Sequence, residues 1–210
     1  VSTPPTVRLP RAERRAQLLE VATEVFTANG YQATSMDDIA KAAGVTKPVL
    51  YQHFDTKETL FVEVLGIVGE RMLAEVRALE APDMRPRERI RHGLLRFYRF
   101  ISLENSLRLF TGQEAVSDAV RARMTEVLDE MALELGRVLM TIRHLSTEEA
   151  RVLGRGLISY TQLAGQLLHE ASDDAAREEI LETMVTIIFS GVSGFRMRDG
   201  VLDDEGRTTR

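Results

Sequence analysis

The stretch ATSMDDIAKAAGVTKPVLYQHFDTK, residues 33–57, leaves the chain few options. Ile39, Ala40 and Ala43 recur at helical spacing, Gly44 can take the left-handed conformation that ends a helix at little cost, and Val45 follows as an apolar plug. A new helix starts at once. Thr46 offers a cap to the free amides of the next turn, and Pro48 sits in that first turn, where a missing N–H costs least. Two short helices around a sharp turn are therefore predicted. On the second, Leu50 and Phe54 lie four residues apart and share the buried face, so Pro48, Tyr51 and Gln52 point outward, flanked by Lys47 and Val49. Such a face suits the major groove of DNA: glutamine can bond adenine in two places, lysine can reach guanine or phosphate, and tyrosine can reach phosphate or a thymine methyl. A solvated helix face is the plain alternative.

The flanks agree with the motif. Leu18, Leu19, Ala22, Val25 and Phe26 form one apolar stripe from Arg11 onward, ended by Asn29-Gly30, and predict a scaffold helix. Thr34 and Ser35 cap the next helix, with Asp38 three residues beyond Ser35 as in a capping box; these hydroxyls and the helix amides can also hold a phosphate. After Phe54, Asp55 and Thr56 offer caps for a further helix bearing Leu60, Phe61, Val64, Leu65 and Val68, and Lys57 in its first turn is an expected phosphate contact. His53 is either a phosphate contact or a satisfied structural histidine.

Residues 14–65 resemble the DNA-binding domain of the TetR family of bacterial transcriptional regulators, and GVTKPVLYQHFDTKETL, residues 44–60, carries its most specific motif. Pro48 stands where many members have glycine or alanine. The wording TKPVLYQHF is similar to an actinobacterial branch that includes regulators of lipid metabolism. The resemblance implies a dimer on a palindromic operator, with repression as the expected sense. It also implies release by a small apolar effector, lipid or fatty-acyl among the options, through a tilt of the helix that begins at Lys57. Two rivals stay open, an effector-independent DNA-binding protein and a helical small-molecule-binding protein.

Composition narrows the rest. There is no cysteine, which removes disulfides, thiolate metal sites and cysteine nucleophiles. The net charge of −5 is uneven: residues 1–60 carry 7 Lys+Arg against 7 Asp+Glu, so the acidity lies in the remainder. A neutral DNA-binding domain releases few counterions per chain, and modest non-specific affinity is expected. The four histidines, His53, His92, His144 and His169, are scattered, and no catalytic or phosphate-loop pattern is present, so neither an enzyme nor a cofactor is expected. The longest candidate membrane runs, 156–168 and 183–195, have 13 residues each, too short for a bilayer. With no signal-peptide core at residues 1–10, the expected location is cytoplasmic.

The expected architecture is all-α: a flexible arm at 1–10, a helix-turn-helix domain at 11–56, a larger helical effector-binding and dimerisation domain at 57–197, and a disordered tail at 198–210. Helices are predicted from Pro86 to about Ile101, from Ser117 to about Arg143, from Thr147 to about His169 and from Asp174 to about Arg196, with a shorter apolar segment at 107–110. Aromatic and methionine residues gather in the middle third. They are either ordinary core or the lining of an apolar cavity that includes Phe97, Phe100, Phe110, Met131 and Tyr160. Each uncharged run sits in one of the last two helices, leaving a face with nothing of its own chain to bury against. A second copy would supply it, with Gly154, Gly165, Ser190, Gly191 and Gly194 allowing close approach, and two central helices of a monomer are the alternative.

Overall fold

The computed structural model describes residues 9–79, 84–104, 109, 117–200, 203 and 207, and for 100–104 the main chain alone. It is all helical among these residues, apart from one isolated antiparallel bridge between Arg143 and Met197. The helices are α1 (Arg11–Asn29), α2 (Met36–Ala42), α3 (Lys47–Tyr51), α4 (Lys57–Arg77), α5 (Pro86–Glu104), α6 (Asp118–Ile142), α7 (Thr147–Glu170) and α8 (Asp174–Ser193). The short segment expected at 107–110 lies outside the described residues except for Leu109, which is fully buried.

Local chemistry sets most of the helix starts. Ser35 with Asp38, Thr56 with Thr59 and Ser146 with Glu149 each form a reciprocal capping box, while Ser117 and Asp173 cap α6 and α8 through one side-chain bond. Each such cap is worth about 1 kcal/mol. Thr46 precedes α3 in extended conformation but makes no side-chain cap bond, and Pro48 falls in the first turn as expected.

Two apolar cores organise the molecule. The first begins where Leu18, Ala22 and Phe26 of α1 meet Phe61, Val64 and Leu65 of α4, and it continues along α4 to Val127 and Met131 of α6. Phe26, Tyr31 and Phe61 pack ring on ring, with centroids 4.9 Å apart for Phe26–Phe61 and 4.6 Å for Tyr31–Phe61. Helix α4 thus belongs to both parts of the protein. The second core joins α5, α7 and α8 through Leu94, Ala164, Leu168, Leu181, Met184 and Val185.

Glycines decide how closely the helices approach. A Cβ on Gly154 of α7 would fall 2.0 Å from the Ala132 carbonyl oxygen of α6, and one on Gly136 would fall 2.8 Å from the Ala150 carbonyl oxygen. Backbone meets backbone at both points, which makes α6 and α7 an antiparallel pair in tight contact. Gly154, expected at a subunit interface, is therefore used inside the chain, and Gly165 is buried as well. Gly156 and Gly191 face open space. With Ser159, Leu163, Thr183, Ile187 and Ser190 they make an exposed, uncharged face on α7 and α8, where Leu163 is 46% and Ile187 44% exposed.

Candidate nucleic-acid interface and an apolar cavity

The turn between α2 and α3 is built as its residues suggest. Gly44 has φ +64°, and the Val45 amide donates to the Ala40 carbonyl at 3.0 Å, closing α2 with the left-handed residue that only glycine adopts without strain. Leu50 and Phe54 are buried beneath the motif. Thr46, Lys47, Pro48, Tyr51 and Gln52 are exposed, and Val49 and His53 are partly so. The outward face is thus that of the sequence pattern, carried on a helix of 5 residues.

Five of the expected contact residues, drawn from three neighbouring segments, converge. Thr34, Ser35, Lys47, Tyr51 and Lys57 line one open groove at the start of α2, α3 and α4. Their individual geometry sorts them. Thr34 is 2% exposed and donates its hydroxyl to the Gly30 carbonyl, so that side chain serves the turn. Ser35 uses its hydroxyl and amide in the capping box with Asp38. Lys57 donates to the carbonyls of Tyr31 and Thr34 at 2.9 and 3.0 Å while its ammonium lies 4.3 Å from the Tyr31 ring centroid. That lysine straps the first turn of α4 to the loop between α1 and α2, and it has three donors in all.

Three features escape any reading by local spacing. Lys47 is ion-paired with Asp37 at 3.0 Å, a contact across the turn that raises the lysine pKa through the hydrogen bond and places a carboxylate beside the outward face. Arg15 of α1 bonds Glu63 of α4 at 2.6 Å and lies 4.7 Å from the Phe54 ring centroid, locking the end of the motif to the scaffold. His53 is held below the ordinary imidazole pKa, first by burial and then by Arg11, Arg15 and Arg14, and its Nδ1 has no hydrogen-bond partner among the described residues. All three contacts join positions far apart in sequence, so only the fold brings them together.

A second site lies in the larger domain. A partly open cavity of about 110 Å³ lies among α4, α5, α6, α7 and α8, with Val76, Phe97, Leu139, Ile158 and Val192 among its walls. Of the residues expected to line such a cavity, Phe97 does. Met131 is fully buried but packs in the first core, and Tyr160 packs against the second core outside the lining. Phe110 and the Phe100 side chain lie outside the described residues. Sequence reasoning passed over Arg89, Arg143 and Thr161, which do line it. No described helix is long and apolar enough to cross a membrane, and no described group of three or more His, Asp or Glu could hold a metal ion.

With this geometry in place, comparison with known proteins is informative. The pattern of the family described as bacterial regulatory proteins, tetR family, matches residues 18–64. The chain is 31% identical to the HTH-type transcriptional activator FasR of Mycolicibacterium smegmatis over 188 residues, 89% of this chain and 86% of that one. It is 28% identical to the HTH-type transcriptional repressor KstR2 of Rhodococcus jostii, across 63% of this chain and 64% of that one. Among solved structures, a tetR-family transcriptional regulator from Streptomyces coelicolor shares the fold with a TM-score of 0.70 at 20% identity, covering 89% of this chain and 84% of that one.

Proposed function

Since the chain belongs to the TetR family of bacterial transcriptional regulators, we propose that it acts as a homodimer that binds a palindromic operator and is released by a small, largely apolar effector. The observation that carries the DNA reading is the groove shared by Thr34, Ser35, Lys47, Tyr51 and Lys57 beside an outward-facing Gln52. One α3 reads only a few base pairs, so two copies are needed, entering successive major grooves roughly 34 Å apart. The exposed, uncharged face of α7 and α8 supports the pairing, because Leu163 and Ile187 would be withdrawn from water by the same face of a second copy.

Helix α4 supplies the link between the two sites. It is strapped at its first turn by Lys57 and reaches the cavity at Val76. An occupant that fits better when α4 is tilted shifts the population toward a dimer with the wrong spacing between its two α3 helices. Repression follows wherever the operator overlaps a promoter. The relatives named above include an activator and a repressor, and the binding event is common to both signs.

Gln52→Ala is expected to relax preference at one base position in each half-site, at about 1–3 kcal/mol per lost bidentate contact. Lys57→Ala is expected to weaken all sequences alike and to lower the salt slope by about 1. Binding titrations on matched and mismatched duplexes at several salt concentrations separate the two. Equal, sequence-independent losses for both variants would remove Gln52 from base readout.

A further inference from the structure

A carboxylate stands where the chain is expected to meet an anion. Among the described residues that line the groove at the start of α2, α3 and α4, Asp37 is the one acid, set beside Ser35, Lys47, Tyr51 and Lys57. Facing a phosphate it would only repel, since like charges opposed across an interface weaken binding. Helix capping does not call for it either. Its neighbour Asp38 makes the capping box, accepting from the amide and the hydroxyl of Ser35 at 2.9 and 2.6 Å. Asp37 reaches instead across the turn to α3, where the Lys47 ammonium lies 3.0 Å from each of its oxygens. Both side chains stay open to solvent, 64% exposed for Asp37 and 50% for Lys47, so the pair presents an acceptor and a donor side by side on the outward face.

The major-groove edge of a G·C pair offers the complement. Guanine O6 and N7 accept, cytosine N4 donates, and O6 and N4 stand about 2.9 Å apart because they are hydrogen-bonded to each other. Lysine suits the guanine edge and aspartate the cytosine amino group. An ammonium has donors, and a carboxylate lone pairs, beyond those that their mutual contact uses. An A·T pair fits less well. Adenine N6 can donate to an aspartate, but thymine O4 gives the lysine a single acceptor, next to the thymine methyl group.

We propose that Asp37 and Lys47 act as one unit that reads a G·C base pair in each half-site, Lys47 donating to guanine O6 and N7 and Asp37 accepting from cytosine N4. This rests on the DNA reading above and deepens it, bringing α2 into base readout and giving the pair one base identity. In the free chain both Asp37 oxygens hold the ammonium. On DNA one oxygen turns to cytosine, and guanine takes the donor that it releases. Asp37 then counts against every sequence that lacks the cytosine amino group at that place, so an otherwise repulsive charge becomes discrimination.

The test is selection of bound duplexes from a random DNA pool by the full chain and by its Asp37→Ala and Lys47→Ala variants, followed by titration of the selected duplex and of its single-position changes. Both side chains lie at the surface, so neither substitution disturbs the cores. The unaltered chain is expected to enrich a symmetric site with a G·C position in each half-site that both variants stop selecting, while every other position keeps its preference. Changing that position to A·T in one half-site should weaken the unaltered chain about ten-fold and either variant only about two-fold. Tighter binding of Asp37→Ala to all duplexes, with base preferences unchanged, would overturn the proposal and leave Asp37 as a brake on Lys47. Preferences lost at different positions in the two variants, or A·T favoured at the shared position, would overturn it as well. No enriched site for the unaltered chain would overturn the DNA reading itself.

Discussion

Gly154→Ala is expected to lower the thermal midpoint by about 5–10 °C, which for a domain of this size corresponds to roughly 3 kcal/mol. Alanine is ordinarily the better helix residue, by about 0.5–1 kcal/mol. Here the added Cβ would stand 2.0 Å from the Ala132 carbonyl oxygen and 2.9 Å from its carbon, with the Gly136 nitrogen at 3.3 Å. These are backbone atoms of a 25-residue helix and cannot swing aside as a side-chain tip can. Relief requires α6 and α7 to move apart along a contact that also holds Gly136 against Ala150, and overpacking of that kind costs about 1–3 kcal/mol or more. Gly93→Ala is the control: its Cβ meets only the end of the Leu79 side chain, at 3.1 Å, and a change of less than about 1 kcal/mol is expected. Melting curves at one protein concentration compare the two. A Gly154→Ala midpoint at or above that of the unaltered chain would refute the close α6–α7 approach.

The second large effect concerns the exposed face of α7 and α8. Leu163→Glu combined with Ile187→Glu is expected to leave the chain folded, because both side chains are about half exposed within it. In the proposed dimer the same carboxylates would be buried near a two-fold axis, each facing like charge, and an uncompensated buried charge costs about 3–5 kcal/mol. Sedimentation at micromolar concentration should therefore show a monomer where the unaltered protein is a dimer. Affinity for the full operator should fall by 100-fold or more, about 2.7 kcal/mol, as each half-site is left to bind alone. A dimeric variant with unchanged operator affinity would show that the chain pairs, if it pairs, through another surface.

What could be read from the chain follows from how far apart the interacting residues lie. The capping boxes at Ser35 and Ser146, the left-handed Gly44 and the buried pair Leu50 and Phe54 all act within a few residues, and spacing alone exposes them. Helix α6 was equally legible as a helix, but not its partners. Val127 and Met131 enter the first core beside α4, Val138 and Ile142 line the cavity, and Leu135 touches both; nothing in the periodicity marks where one environment gives way to the other. The same limit explains Arg89. A run of arginines on α5 reads as a solvated face, and only the position of α8 shows that Arg87 and Arg91 meet it while Arg89 turns inward. Gly154 looked like a residue for contact with a second copy because sequence reveals a small side chain and not the helix it faces.

Lys57 shows how the fold refines a sequence-level role. Its ammonium is held by the Tyr31 and Thr34 carbonyls, so the residue that opens α4 also fixes the loop that leads into α2. In the proposed switch, movement of α4 would be passed through this strap to the start of the motif. Asp37 contributes from the other side by holding Lys47, and in the proposed complex DNA would compete with that carboxylate for the lysine.

The central claim is that two copies of α3 read a symmetric site. Selection of bound duplexes from a random DNA pool with the purified full chain tests it most directly. The expected result is an enriched sequence with two-fold symmetry whose half-sites are centred about one helical turn apart, or a related multiple. Enrichment of an asymmetric site, or of none at low salt, would contradict the account.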